Sequence, residues 1–158
     1  MSEQPAVDAA RALGLDVEVI SHGPVRSLAE AAEARGQEPR DVVKTLVVRR
    51  GADDYVFVLV GGDRTISWPK LRQELGVNRM SLPDADEAFA ATGYKRGTIT
   101  PFGATTAWPV IADTALAGRR VSMGSGAHGV AILVDADAMV TAIGATVVDV
   151  TELESAGG

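Results

Sequence analysis

The 158-residue chain contains no cysteine, which excludes disulfides, thiolate metal sites and a cysteine nucleophile together. Histidine is almost as scarce, with only His22 and His128. Neither has the H-x-x-x-H or H-E-x-x-H spacing of a helix-borne zinc site, so a histidine metal centre would need long-range assembly. Aromatic residues make up 4% of the chain, too few for a surface on which successive bases stack. Trp68 and Trp108 each precede a proline and read as packing anchors. No apolar run approaches the roughly 20 residues a membrane helix needs. Residues 1–12 carry Glu3 and Asp8 without an apolar stretch, unlike a signal peptide. A soluble cytoplasmic protein is expected.

Positive charge is also short. The net charge is −6, and no basic run exceeds two residues: Arg49-Arg50, Lys95-Arg96 and Arg119-Arg120. Proteins that grip long stretches of nucleic acid rely on counterion release along a basic stripe. Extended duplex binding, DNA included, is therefore not expected, whereas recognition of a few nucleotides at one RNA end stays open. Lysine occurs at only three positions, Lys44, Lys70 and Lys95, against twelve arginines.

What is present fits one ordinary domain. Hydrophobic residues are 46% and charged residues 23%, and the length suits a single core. Helices are expected over 5–13, 28–35 with Ser27 and Glu30 as a capping box, 68–75, 85–91 behind Asp84, and 136–143 between Asp135 and Gly144. Strands are expected over 17–20, 42–49, 55–60, 79–82, 110–112, 120–123, 130–134 and 146–150. The turn Gly51-Ala52-Asp53-Asp54 signals a hairpin, which argues against a purely parallel, doubly wound sheet. The expected class is α/β in the α+β sense: a mixed, curved sheet with short flanking helices, and a frayed tail over 155–158.

Three segments could carry chemistry. Lys44 lies in the strand Val42-Val43-Lys44-Thr45-Leu46-Val47-Val48, where side chains alternate between faces and both faces are apolar. An ammonium there must be paired, must reach water, or must meet an anionic ligand. The loop Gly97-Thr98-Ile99-Thr100-Pro101-Phe102-Gly103 is stiffened by proline and opened by glycine, so its amides can approach an oxyanion or a ribose edge. The loop Gly124-Ser125-Gly126-Ala127-His128-Gly129 resembles a phosphate cradle, but a strand follows it and no G-x-x-x-x-G-K-[ST] match exists. A triad of Ser125, His128 and Asp113 lacks a G-x-S-x-G elbow. Each of these loops also reads as an ordinary turn.

Taken in order, these pieces resemble the YbaK/aminoacyl-tRNA editing-domain family, of the prolyl-tRNA-deacylase-like, free-standing kind. The histidine turn Ser21-His22-Gly23-Pro24 comes first, then Val42-Val43-Lys44-Thr45-Leu46, which looks like the family's V-x-K-T-L strand. Thr92-Gly93-Tyr94 and the G-x-x-x-P loop from Gly97 to Pro101 follow. Asp113, the glycines Gly124 and Gly126, and the ending Ile143-Gly144-Ala145-Thr146-Val147-Val148-Asp149 close the pattern.

The resemblance implies an editing domain over residues 1–154 with a barrel-like mixed sheet. It implies trans-acting hydrolysis of the ester joining a wrong amino acid to tRNA, such as alanine or cysteine on tRNA-Pro. Lys44, Gly97 and Pro101 become the catalytic candidates. His22, Thr45, Thr98, Ile99, Thr100, Asp113, Gly124, Ser125, Gly126 and His128 become candidates for substrate binding, with no metal and no cofactor. A histidine at position 128 is not a family signature, and both a pocket-facing and a surface role are open. The tRNA acceptor end is the expected partner, with prolyl-tRNA synthetase as a further one. A non-catalytic aminoacyl-tRNA or nucleotide-binding module docking on a synthetase is the rival reading, and a hydrolase of small activated esters is a third.

Overall fold

A computed structural model describes residues 5–23, 25, 27–95 and 98–154. Helix α1 (Pro5–Ala12) leads through β1 (Glu18–Ser21) to α2 (Leu28–Ala34), where the Ser27 hydroxyl accepts from the Glu30 amide. The long hairpin of β2 (Val43–Gly51) and β3 (Asp54–Gly61) follows, then β4 (Arg64–Ile66), α3 (Trp68–Leu75) and α4 (Ala85–Thr92). The second half adds β5 (Val110–Asp113), β6 (Arg120–Gly124), β7 (Val130–Asp135), α5 (Ala136–Ile143), β8 (Thr146–Val148) and β9 (Thr151–Leu153). Asp84 and Asp135 cap α4 and α5 through their carboxylates, and left-handed Gly76, Gly93 and Gly144 end α3, α4 and α5.

The central sheet has the order β2-β3-β5-β8, antiparallel between β2 and β3 and parallel elsewhere. Period-two alternation buries it on both faces. Val43, Val47, Phe57 and Leu59 enter one core, with Met123 and Ile132 from a second sheet; Val48, Val56, Val58 and Val60 enter the other, with Leu71 of α3. The second sheet runs β1-β7-β6, all antiparallel, and β4 pairs with β9 as a two-stranded ribbon. Trp108 serves packing, as expected: its indole N–H donates to the Ala91 carbonyl, and its ring meets Tyr55 edge-on at 5.1 Å.

The expected mixed, barrel-like sheet is present in open form: among the described residues β2 is an edge strand, and ladder pairing between the two sheets is limited to an isolated Val42–Ser122 bridge. Two strand expectations need correction. The strand expected over 146–150 ends at Val148, where the chain turns, and a further strand, β9, follows and pairs with β4. The strand expected over 79–82 reduces to one bridge between Ser81 and Arg49. The tail 155–158 lies outside the described residues.

Candidate functional site

The open edge of β2 is where a site can form. The amide and carbonyl of Arg49 bond outward to Ser81, at 2.8 and 3.1 Å, so by alternation the main-chain groups of Val47, Thr45 and Val43 point the same way. Between the bridges at Val42 and Arg49, that edge has no strand partner among the described residues. A cleft of about 720 Å³ runs along it, walled by α2 on one side and by the segment 82–85 with Ala88 of α4 on the other. Lys44 and Thr45 form its floor, and Ile99, Gly124 and His128 reach it from the two glycine-containing loops.

Lys44 is half-buried, and its Nζ donates to the Arg64 carbonyl at 2.6 Å. That one bond answers how an ammonium survives on a strand packed on both faces, and it leaves two N–H donors for a ligand. Arg64 is held in turn: its Nε donates to Thr151 Oγ1 at 2.6 Å and lies 3.6 Å from the Asp113 carboxylate. Beside Lys44, the Thr45 hydroxyl is buried without a hydrogen-bond partner among the described residues.

Tyr94 joins the two loops. Its hydroxyl donates to the Phe102 carbonyl at 2.6 Å, and Gly126, at φ +85°, lies so close to its ring that a Cβ would collide with it. Burial raises the Tyr94 pKa, so the ring stays a neutral donor. The Gly126 amide donates to the Thr98 carbonyl at 2.9 Å, and a Cβ on Gly124 would stand 2.9 Å from the Thr98 and Ile99 carbonyls. The glycines thus let the backbones of two loops touch at the cleft wall.

The remaining candidates are placed differently. Gly97 lies outside the described residues, as do Pro24 and Arg96. Pro101 is half-buried and does not line the cleft. The hydroxyls of Thr98 and Thr100 are buried and turned to their own loop, where Thr98 donates to the Lys95 carbonyl and Thr100 accepts from the Phe102 amide. Ser125 Oγ donates to the Val130 carbonyl at 2.7 Å, and Asp113 accepts from the Ala115 and Val150 amides, so no Ser125–His128–Asp113 triad forms. His22 bonds Gly129 through its amide, and its Nδ1 donates to the Gly23 carbonyl at 2.8 Å. Its Nε2 is buried without a partner among the described residues.

Two features escaped the sequence reading. Arg35, the C-cap of α2, lines the cleft. Arg49, Arg50, Arg72 and Arg79 surround a second depression of about 480 Å³ at the far end of β2. Basic residues scattered along the chain therefore gather in space. Arg50 pairs with Asp54 and Arg49 approaches Glu87, whereas Arg72 and Arg79 make no ion pair among the described residues. The described residues hold no cluster of three His, Cys, Asp or Glu that could bind a metal, and among them no helix is long and apolar enough to cross a membrane.

Residues 22–142 match the family model described as aminoacyl-tRNA editing domain. A proline–tRNA ligase of Trichlorobacter lovleyi is 33% identical over 91 residues, 58% of this chain and 16% of that protein. The match thus spans about a sixth of the curated relative's length. A crystal structure of a protein described as a proposed trans-editing enzyme for prolyl tRNA synthetase superposes with a TM-score of 0.86 at 25% identity, covering 96% of this chain and 99% of the other. A hypothetical protein of known structure gives a TM-score of 0.87 at 28% identity, covering 94% and 99%.

Proposed function

The chain belongs to the aminoacyl-tRNA editing domain family, and from that premise we propose that it acts in trans as a deacylase of mischarged tRNA, removing a small amino acid such as alanine or cysteine from tRNA-Pro. The observation that carries this reading is Lys44, fixed by Arg64 on the floor of a cleft whose wall is made by two touching glycine loops. The cleft accepts a terminal adenosine with its esterified amino acid. Similarity over 99% of a proposed trans-editing enzyme supports action on tRNA charged elsewhere.

An aminoacyl ester is already activated, so positioning and electrostatics supply much of the acceleration without a side-chain nucleophile. Water adds to the ester carbonyl, the bond from carbonyl carbon to ribose oxygen breaks, and that oxygen takes up the proton. The neighbouring ribose hydroxyl orients the water. The free N–H groups of Lys44 stabilise charge developing on the carbonyl oxygen, and amides of the 97–101 loop hold the terminal ribose. His128 reaches the cleft from its outer rim.

The arginine cluster supports a position for the rest of the RNA. It sits at the far end of the strand that floors the cleft. We assign it the acceptor-stem phosphates, which a −6 protein must meet locally because it offers no overall attraction.

The test is a deacylation panel: trace protein with tRNA-Pro charged separately with alanine, cysteine, serine and proline, and Lys44→Ala alongside. Selective clearance of one mischarged species, lost in the variant, supports the enzyme. Stoichiometric protection of the ester without turnover would instead establish a binding module.

A further inference from the structure

We infer that Arg35 is the anion-binding group of the cleft, and that it takes the phosphodiester on the 5′ side of the terminal adenosine. This assignment deepens the editing reading and rests on it. Arg35 Nη1 donates to Ser122 Oγ at 3.1 Å, and Ser122 is fully buried. Ser122 also forms the bridge to Val42, at the start of β2. The guanidinium is therefore pinned where β2 meets β6, two residues along the strand from Lys44.

The group is placed to take an anion. Its Nε is buried without a hydrogen-bond partner, and it makes no ion pair among the described residues. Burial lowers its pKa, as partial desolvation of a cation does. A guanidinium offers five N–H donors in a planar fork, and one is used on Ser122. A partly desolvated cation with no ion pair among the described residues costs free energy that an arriving anion returns.

The substrate's chemistry names that anion. In an aminoacyl ester the carboxyl is esterified and the amino group is cationic, so the phosphodiester is the sole negative group of the terminal aminoacyl nucleotide. Arg fits it as a bidentate partner. The arginine cluster cannot serve it, because Arg49 lies seven residues up the strand from Val42, roughly 23 Å at about 3.3 Å per residue. A few single-stranded nucleotides bridge that interval between stem and ester.

The test compares 5′-AMP with adenosine by isothermal titration calorimetry, on the folded full chain and on Arg35→Met, Arg35→Lys and Ser122→Ala. The wild-type protein should prefer 5′-AMP by roughly tenfold or more, the scale of one charge-assisted pair. The preference should vanish in Arg35→Met, persist in part in Arg35→Lys, and weaken in Ser122→Ala, whose hydroxyl only aims the fork. Equal affinities in the wild type, no binding of either compound at millimolar concentration, or an undiminished preference in Arg35→Met would each overturn the assignment. Inorganic phosphate binding as tightly as 5′-AMP would overturn the nucleotide part of it. Should Arg35→Met fail to fold, the lysine and Ser122 variants decide. A failed deacylation panel with an intact Arg35-dependent preference would sink the editing reading alone, and the reverse pattern would sink this one alone.

Discussion

The ammonium of Lys44 donates to the carbonyl of Arg64 at 2.6 Å, across twenty residues of sequence. A strand lysine packed between two cores thereby gains a fixed direction. Replacing Lys44 by methionine preserves most of the packing and removes the donors. We expect single-turnover deacylation to fall by roughly 10²- to 10³-fold, the usual loss of one oxyanion donor, with stability changed by only about 1 kcal/mol. A variant of near wild-type rate would remove Lys44 from the mechanism.

Asp113 acts on the same lysine at one remove. Its carboxylate is buried, accepts from the Ala115 and Val150 amides, and lies 3.6 Å from Arg64. Asp113→Ala should cost about 3 kcal/mol in urea unfolding, because the buried Val150 amide, the Ala115 amide and the Arg64 cation lose their acceptor. The loss of activity should follow the folded fraction more closely than in the Lys44 variant. An Asp113→Ala protein as stable as wild type would refute this structural role.

Glycine identity at the loop junction is the third point. A Cβ at position 126 meets the Tyr94 ring, and φ there is +85°. Gly126→Ala should therefore destabilise by more than about 1 kcal/mol and impair deacylation by parting the loops. Tyr94→Phe loses the bond to Phe102 and should cost about 1 kcal/mol. Thermal melts of both variants check the order, with Gly126→Ala expected to be the lower of the two.

The legible and illegible parts of the molecule divide by range. The β2–β3 hairpin, the Ser27, Asp84 and Asp135 caps and the glycine stops were readable because each is a local pattern of four to ten residues. The pairing of β4 with β9 was not, because two three-residue strands 87 positions apart carry no periodicity of their own. Lys44 stood out since a charge interrupts an apolar strand. Arg35 did not, because arginine at a helix C-terminus is the ordinary solvated pattern, and only Ser122, arriving from β6, turns it inward. The arginine cluster was hidden for the same reason, being assembled from β2, α3 and the segment after it. At Thr98 and Thr100 the motif marks the loop's backbone, while their hydroxyls bond within the loop itself.

A pH dependence follows from the exposed pair of Lys70 and Asp149, 3.0 Å apart, which ties α3 to the turn between β8 and β9. The bond from Lys70 holds the Asp149 pKa below its ordinary value. A depressed carboxylate pKa means the unfolded chain binds the proton more readily, so the contribution is complete above the unfolded value of about 3.9. It is lost as the pH falls through the folded value. Lys70→Ala should therefore lower the melting temperature slightly at neutral pH, and the difference from wild type should shrink only below about pH 4. High salt should reduce the same difference at every pH, since both partners face solvent. A gap that persists unchanged in strong acid would assign the effect to the bond from Lys70 to the Thr151 carbonyl and to packing of the lysine stem instead of to the ion pair.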